Sequence, residues 1–411
     1  MTFSVVSVWA QTGSVSPYSR FGLGDLQFNG YFINQHLGGM GTALRDSLRI
    51  NPLNPASYNA LRFTTSELGV IHNQLYLSTS KLSETNSSTY LSHLAIAFPM
   101  GNKMGLSFGI HPYSTLGYNI VSYEEQDTIG TLRYTYQGKG GVNAAKVGFS
   151  TQVIKGLSLG LNATYYFGNS DRVSSVEFDS LDYFNTRVTK TARTGNFYFL
   201  LGGQYEIDLK EGRFIHLGGT YGLSRDFEVK YDYSVVTYEY TSQGTVLIKD
   251  SIISRQDQLS NIALPSEYSL GFNVGKKNSW SLGADYQWKN WASFVDQELG
   301  DSLVNGYRIS VGGTWLPDFY SPTGYFKKTH YRLGAFYEKS PLNVNGVDIY
   351  NYGMSFGLGL PFYSKTLSTM NVGVQLGQRG TLEKDLIRER YIKLSIGVSF
   401  NEKWFVRRKI D

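Results

Sequence analysis

From about residue 62 to the end, apolar and polar positions alternate with a period of two. Met354, Phe356, Leu358 and Leu360 are interleaved with Gly353, Ser355, Gly357 and Gly359. Met370 to Leu376, Tyr268 to Val274, Trp280 to Trp288, Tyr307 to Trp315 and Ile392 to Phe400 repeat the pattern. A period of two marks strands with one apolar and one polar face. About fourteen such strands are expected, among them 62–79, 88–99, 103–117, 142–153, 213–233, 266–275 and 389–400. The apolar faces carry aromatics at both ends: Trp280 and Trp288 lie eight positions apart, as do Tyr307 and Trp315. At ~3.3 Å per residue and a tilt near 40°, eight positions rise roughly 20 Å, close to the apolar band between the aromatic girdles of a membrane barrel.

Connections supply an independent test. "PMGNK", "VIKG", "DLKEG", "GKKNS" and "PFYSKT" are tight, whereas the links near 118–141, 171–186, 234–262 and 290–306 read as long. Short and long links alternate as periplasmic turns and extracellular loops do, which places both termini in the periplasm. The fold class is therefore all-β: a transmembrane antiparallel barrel of about 14 strands spanning 62–400. Residues 11–61 lose the two-residue period. They are too apolar for a disordered tail, and are expected to fold within the barrel as a plug, or hatch, with a short helix over Met40 to Leu48 and two Asn-Pro turns.

Composition sharpens this picture. The 411 residues include 45 Gly and 15% aromatics but no Cys, which excludes disulfide scaffolds and thiolate chemistry. No apolar run reaches the roughly 18 residues of a membrane helix, so any crossing is by strands. A net charge of +5 is too dispersed to indicate nucleic acid. Residues 1–10, ending Val8-Trp9-Ala10, read as the end of a secretory signal peptide whose charged leader would lie upstream of Met1. Residues 401–411 form a basic periplasmic tail in which Trp404, Phe405, Arg407 and Arg408 make a candidate partner-binding cluster.

Catalytic chemistry finds no foothold. Three G-x-S-x-G strings place Ser107, Ser158 and Ser355 in mid-strand, where a nucleophile elbow cannot form. The six His lack metal-ligand spacing, and no cofactor is expected.

Gly39-Met40-Gly41-Thr42-Ala43 followed by Asn54-Pro55-Ala56 resembles the hatch of the outer-membrane long-chain fatty acid and hydrocarbon transporters of the FadL/TodX type. "YQGKGGVNAAKVGF", with Gly138, Gly140, Gly141 and Asn143, is similar to that family's glycine-rich entry to an early strand, and "LPSEYSLGF" to its L-P-x-x-x-S-L-G segment. The overall style resembles members from the Bacteroidetes. The resemblance implies a hatch-gated outer-membrane barrel in contact with lipid and lipopolysaccharide that takes up hydrophobic molecules, with Gly39, Gly41, Ala43, Asn54, Pro55 and Ala56 in the gate. It also implies a sideways exit at a kink in the third strand, for which His111 and Pro112 are the candidates. A single group in the hatch, Arg45 or Arg49, is the candidate for holding a carboxylate. A second class stays open: a barrel that is a structural subunit of an outer-membrane secretion or insertion assembly, bound to other outer-membrane proteins or lipoproteins. The inward positions, Gly, Ser, Asn and Gln, pull against an apolar path.

Overall fold

The computed structural model describes residues 14–127, 129–179, 182–296, 300–362 and 367–404. The segment 1–10 and the tail residues Phe405, Arg407 and Arg408 lie outside them.

Sixteen strands of ten or more residues follow in order: β1 (Thr64–Ser78), β2 (Ser83–Met100), β3 (Met104–Gln126), β4 (Gly130–Ile154), β5 (Leu157–Phe178), β6 (Asn185–Asp208), β7 (Arg213–Gly222), β8 (Arg225–Tyr240), β9 (Val246–Leu264), β10 (Glu267–Lys276), β11 (Trp280–Lys289), β12 (Gly306–Trp315), β13 (His330–Val344), β14 (Val347–Pro361), β15 (Thr369–Arg379) and β16 (Arg388–Glu402). β7 runs on into β8, and β9 into β10, across two-residue breaks, so the wall has the expected fourteen antiparallel strands. β16 pairs with β1 and closes the barrel.

The alternation predicted from sequence is the alternation of exposure. On β16, Leu394, Ile396 and Phe400 face outward while Ser395 and Ser399 are buried in the lumen. Aromatic girdles mark both edges of the lipid-facing band: Trp280, Trp315 and Tyr331 at the periplasmic rim, Tyr268, Trp288, Tyr307 and Tyr337 at the outer one.

Most of the long links are strand. β3 extends to Gln126, β4 begins at Gly130, β5 runs to Phe178, and 234–262 is largely the β8–β9 hairpin. These extensions rise beyond the membrane, where neither face meets lipid, so their Ser, Thr, Arg and Asp lose the apolar alternation that identified the rest. The described residues of the remaining long link, 290–296 and 300–305, comprise one 3₁₀ turn, two short paired strands and irregular backbone.

Residues 14–61 lie inside the barrel, and their helix is not where expected. α1 (Phe32–His36) ends at Gly38 and Gly39, both at positive φ (68° and 97°), and Met40 to Leu48 is irregular. Side chains satisfy that backbone instead: Asn51 Nδ2 donates to the carbonyls of Gly41 and Leu44, and Gln204 Nε2 to those of Thr42 and Leu44. A helix was unnecessary because Asn51 of the hatch and Gln204 of the wall supplied partners.

Candidate functional site

The hatch meets the wall on a belt of inward glycines. A Cβ at Gly160 would lie 2.5 Å from the Pro55 backbone, at Gly202 2.1 Å from Asn54 Oδ1, and at Gly218 2.1 Å from the Thr42 carbonyl. The belt continues round the barrel through Gly312 and Gly334 against Leu37 and Gly38, Gly357 and Gly373 against His36, and Gly397 and Gly69 against Phe32. Many are cross-strand partners, including Gly160 with Gly202, Gly312 with Gly334, Gly357 with Gly373, and Gly397 with Gly69. Much of the glycine excess is thus a seat for the hatch.

Charged and amide side chains fasten it. Asp285 Oδ2 accepts from the Gly41 and Thr42 amides at 2.6 and 2.7 Å, and the absent side chain of Gly271 makes room for the carboxylate. Glu67 Oε1 accepts from the Ile50 amide. Asn54 is fully buried, accepts from the Ala56 amide and donates to the Thr42 and Gly203 carbonyls, capping a 3₁₀ turn that begins at Pro55. Arg308 donates to the Gly38 carbonyl, which fixes the backbone at Gly39. Gly39, Gly41, Ala43, Asn54, Pro55 and Ala56 therefore all stand at hatch–wall contacts.

Burial and the nearby Arg332 and Arg49 guanidinium groups push His36 down to about 3, so it is neutral where Nε2 meets Ser395 Oγ. Arg45 bonds the Ala56 carbonyl, Gln204 and Asn59, and lies 3.5 Å from Glu206. Arg49 has one bonded nitrogen, Nη1 to Asp46.

His111, Pro112 and the glycine motif belong to one structural break. The β2–β3 ladder ends at Leu94 and Ile110, although both strands continue toward the outer surface. β3 stays paired with β4, but the register slips between Pro112 and Ser114. Opposite the slip lie Asn143, Gly141, Gly140 and Gly138, partners of Pro112, Thr115, Leu116 and Tyr118. The motif is therefore the middle of β4, not a strand entry. Gly140, Gly141 and Gly168 take φ of 103°, 147° and 156°, and a Cβ at Gly141 would meet the Ser114 carbonyl at 2.3 Å. Proline donates no ladder bond and glycine allows the bend, which accounts for the register slip at this point of β3. The seam between β2 and β3 is backed from inside. Asp25 and Leu26 pair with Thr115 and Ser114, and Gln27 bonds both Thr115 and Tyr90.

A latch that sequence reasoning missed holds this N-terminal strap. Arg379 donates to Asp25, Glu389 and Ser16 at 2.5, 2.7 and 2.7 Å, and Tyr18 donates to the Ile387 carbonyl. Its members are up to 373 residues apart, so no local spacing betrays them.

The rest of the lumen holds a packed cluster and small chambers of mixed apolar and ionic lining. Toward the outside, Tyr113, Tyr166, Tyr198, Phe227, Trp291 and Phe294 form a buried cluster. Between it and the hatch a chamber of about 180 Å³ is lined by Lys146, Glu267, Lys289, Arg308, Glu338 and Lys393 among others. Ser355 is buried in mid-strand and accepts from the Gly38 amide, whereas Ser158 is buried at the very start of β5, not in mid-strand, and accepts from Asn59. Trp404 is half exposed, its ring 5.6 Å from Phe98.

The fold is shared with solved channels at low identity. TodX, the toluene transporter of Pseudomonas putida, is 17% identical with a TM-score of 0.57, covering 93% of this chain and 100% of its own. A FadL homologue of Pseudomonas aeruginosa is 10% identical, TM-score 0.58, covering 92% and 99%. CymD, described as a monoaromatic hydrocarbon channel, is 13% identical, TM-score 0.56, covering 93% and 99%. No curated protein matches. The architecture is that of an outer-membrane barrel, and a family model matches over residues 1–411: the chain belongs to the BamG family.

Proposed function

We propose that the protein is a structural subunit of an outer-membrane protein assembly, its barrel serving as a rigid membrane body that holds partners and not chiefly as a conduit. The observation that carries this reading is the filled lumen. The hatch rests on the glycine belt with buried polar fastenings, a packed aromatic cluster lies outside it, and the remaining chamber sets ionic side chains beside apolar ones. An apolar molecule taking that route would strip water from those charges and offer nothing in exchange. Partner contacts would fall on exposed aromatics such as Tyr320 and Phe326 beside Lys327 and Lys328 in the periplasmic link, and on the tail beyond Trp404.

The experiment is native mass spectrometry of the protein extracted in mild detergent from its own membrane. A stoichiometric set of other proteins supports the subunit reading; a monomer carrying a discrete small-molecule adduct refutes it.

A second reading, passage of hydrophobic molecules, is favoured by one observation, the β2–β3 seam above Ile110. The channels named above share this fold, and a lateral route would bypass the ionic chamber. Under this reading Pro112→Val, which restores a ladder donor, impairs uptake of a hydrophobic tracer while the barrel stays folded; undiminished uptake removes the seam from any transport role.

A further inference from the structure

The periplasmic mouth of the barrel holds a basin of about 470 Å³ that the filled lumen does not use. Six cationic side chains line it, Arg45, Arg49, Arg62, Lys276, Lys277 and Arg332, against the two carboxylates of Asp46 and Glu206. Arg45 is bonded on several sides. Arg49 and Arg332 are not, although they are 5% and 1% exposed. Arg49 uses Nη1 on Asp46, and Arg332 uses Nη1 on Asn371 and, at 3.5 Å, His36. In both, Nε and Nη2 have no hydrogen-bond partner.

The same two atoms are left over in both residues, and they form one edge of the guanidinium, the edge that grips a carboxylate through two parallel bonds. A buried guanidinium with that edge empty is costly, and two that line one basin repel each other as well. One wall of the basin is apolar, formed by Ile33, Leu44, Phe214, Leu316 and Phe319.

We propose that this basin is a binding site for a carboxylate, reached from the periplasm and gripped by the Nε and Nη2 edges of Arg49 and Arg332, which are closed to solvent in this structure and turn toward the basin when the ligand enters. The carboxylate comes either from a small free acid or from the head of an amphiphile whose tail lies on the apolar wall. The site is remote from the seam and independent of whether the barrel transports.

The test is isothermal titration of the full chain in amphipol with acetate and with decanoate, using decyltrimethylammonium as the cationic control. Saturable binding of the acids and none of the cation is expected, weakened at least tenfold in Arg49→Gln and in Arg332→Gln. Equal affinity for acetate and decanoate identifies a small free acid; decanoate at least tenfold tighter identifies an amphiphile. Arg49→Lys keeps the charge but loses the paired edge, and is expected to weaken binding like Arg49→Gln. Heat-modifiable gel migration checks folding, and should Arg332→Gln fail it, the two Arg49 variants in the hatch decide the matter. Absence of saturable binding, or affinity unchanged by the Arg49 substitutions, overturns the proposal.

Discussion

Replacing Asp285 with Ala removes the acceptor of the Gly41 and Thr42 amides without touching the hatch sequence. The carboxylate is 3% exposed and accepts at 2.6 and 2.7 Å, with Gly271 leaving the space it occupies. Hydrogen bonds to a charged group contribute about 1.5–3 kcal/mol each, so the pair contributes about 3–6 kcal/mol to hatch docking. No water is expected to replace it fully, because Thr42 is itself 1% exposed beneath the belt. The barrel ladders around Asp285, to Gly271 and Ser310, are backbone bonds and remain. The appropriate assay is hydrogen exchange in micelles, comparing peptides from 31–61 with peptides from β11 to β16. A loss of 3 kcal/mol corresponds to roughly a hundredfold faster opening, so hatch amides should exchange about that much faster while strand amides hold. Asp285→Asn keeps an acceptor oxygen and should lose roughly half as much. Hatch exchange within threefold of the unmodified protein would refute the claim that the wall fastens the hatch.

Three further outcomes follow from the same geometry. Gly218→Ala places a methyl 2.1 Å from the Thr42 carbonyl and should destabilise hatch docking by about 1–3 kcal/mol in the same exchange assay. His36 is held down to about 3 by burial and the neighbouring arginines, so an undocked hatch takes up a proton that the docked one refuses. Docking stability should be flat above the ordinary histidine value of about 6.5 and fall by roughly 1.4 kcal/mol for each pH unit below it until about 3, a slope that His36→Gln removes in a pH series of the melt. Asp25→Ala takes one partner from the Arg379 latch, leaving Glu389 and Ser16, and should free residues 14–27 to limited proteolysis while the belt-seated part from Tyr31 stays protected.

Much of the barrel could be read from sequence because lipid imposes a period of two on strands that cross it. β10 to β12 and β14 to β16 lie almost wholly within that band, and their ends fall close to where the alternation stops. β3 to β6 could be read only up to the point where they leave the membrane, since Ser, Thr and charged residues on both faces of a solvated hairpin resemble a loop. The hatch was legible as a separate element but not in its local form: Met40 to Leu48 has helix-compatible residues, and whether they coil is settled by Asn51, Gln204 and Asp285 from elsewhere. Pro112 and the Gly138–Gly141 run were visible individually, while their pairing across β3 and β4 depended on a register that sequence does not state. The Arg379 latch and the empty edges of Arg49 and Arg332 join residues hundreds of positions apart, and no spacing rule could have found them.

Strands β3 to β6 have 22 to 25 residues, and the continuous β7–β8 and β9–β10 runs are also long, against 10 for each of β11 and β12. At about 3.3 Å per residue the difference is some 40 Å or more of sheet, carried on one side of the barrel only. A cylinder has no free edges, but a partial sheet rising from its rim does, and such margins invite strands from other chains to add on. β9, whose ladder is with β8, slips register three times and carries Lys249, Asp250, Arg255 and Asp257 along its length. Bulges and charge of this kind spoil a template for strand addition, so a tall one-sided crest can stand in the medium without seeding aggregation between neighbouring molecules.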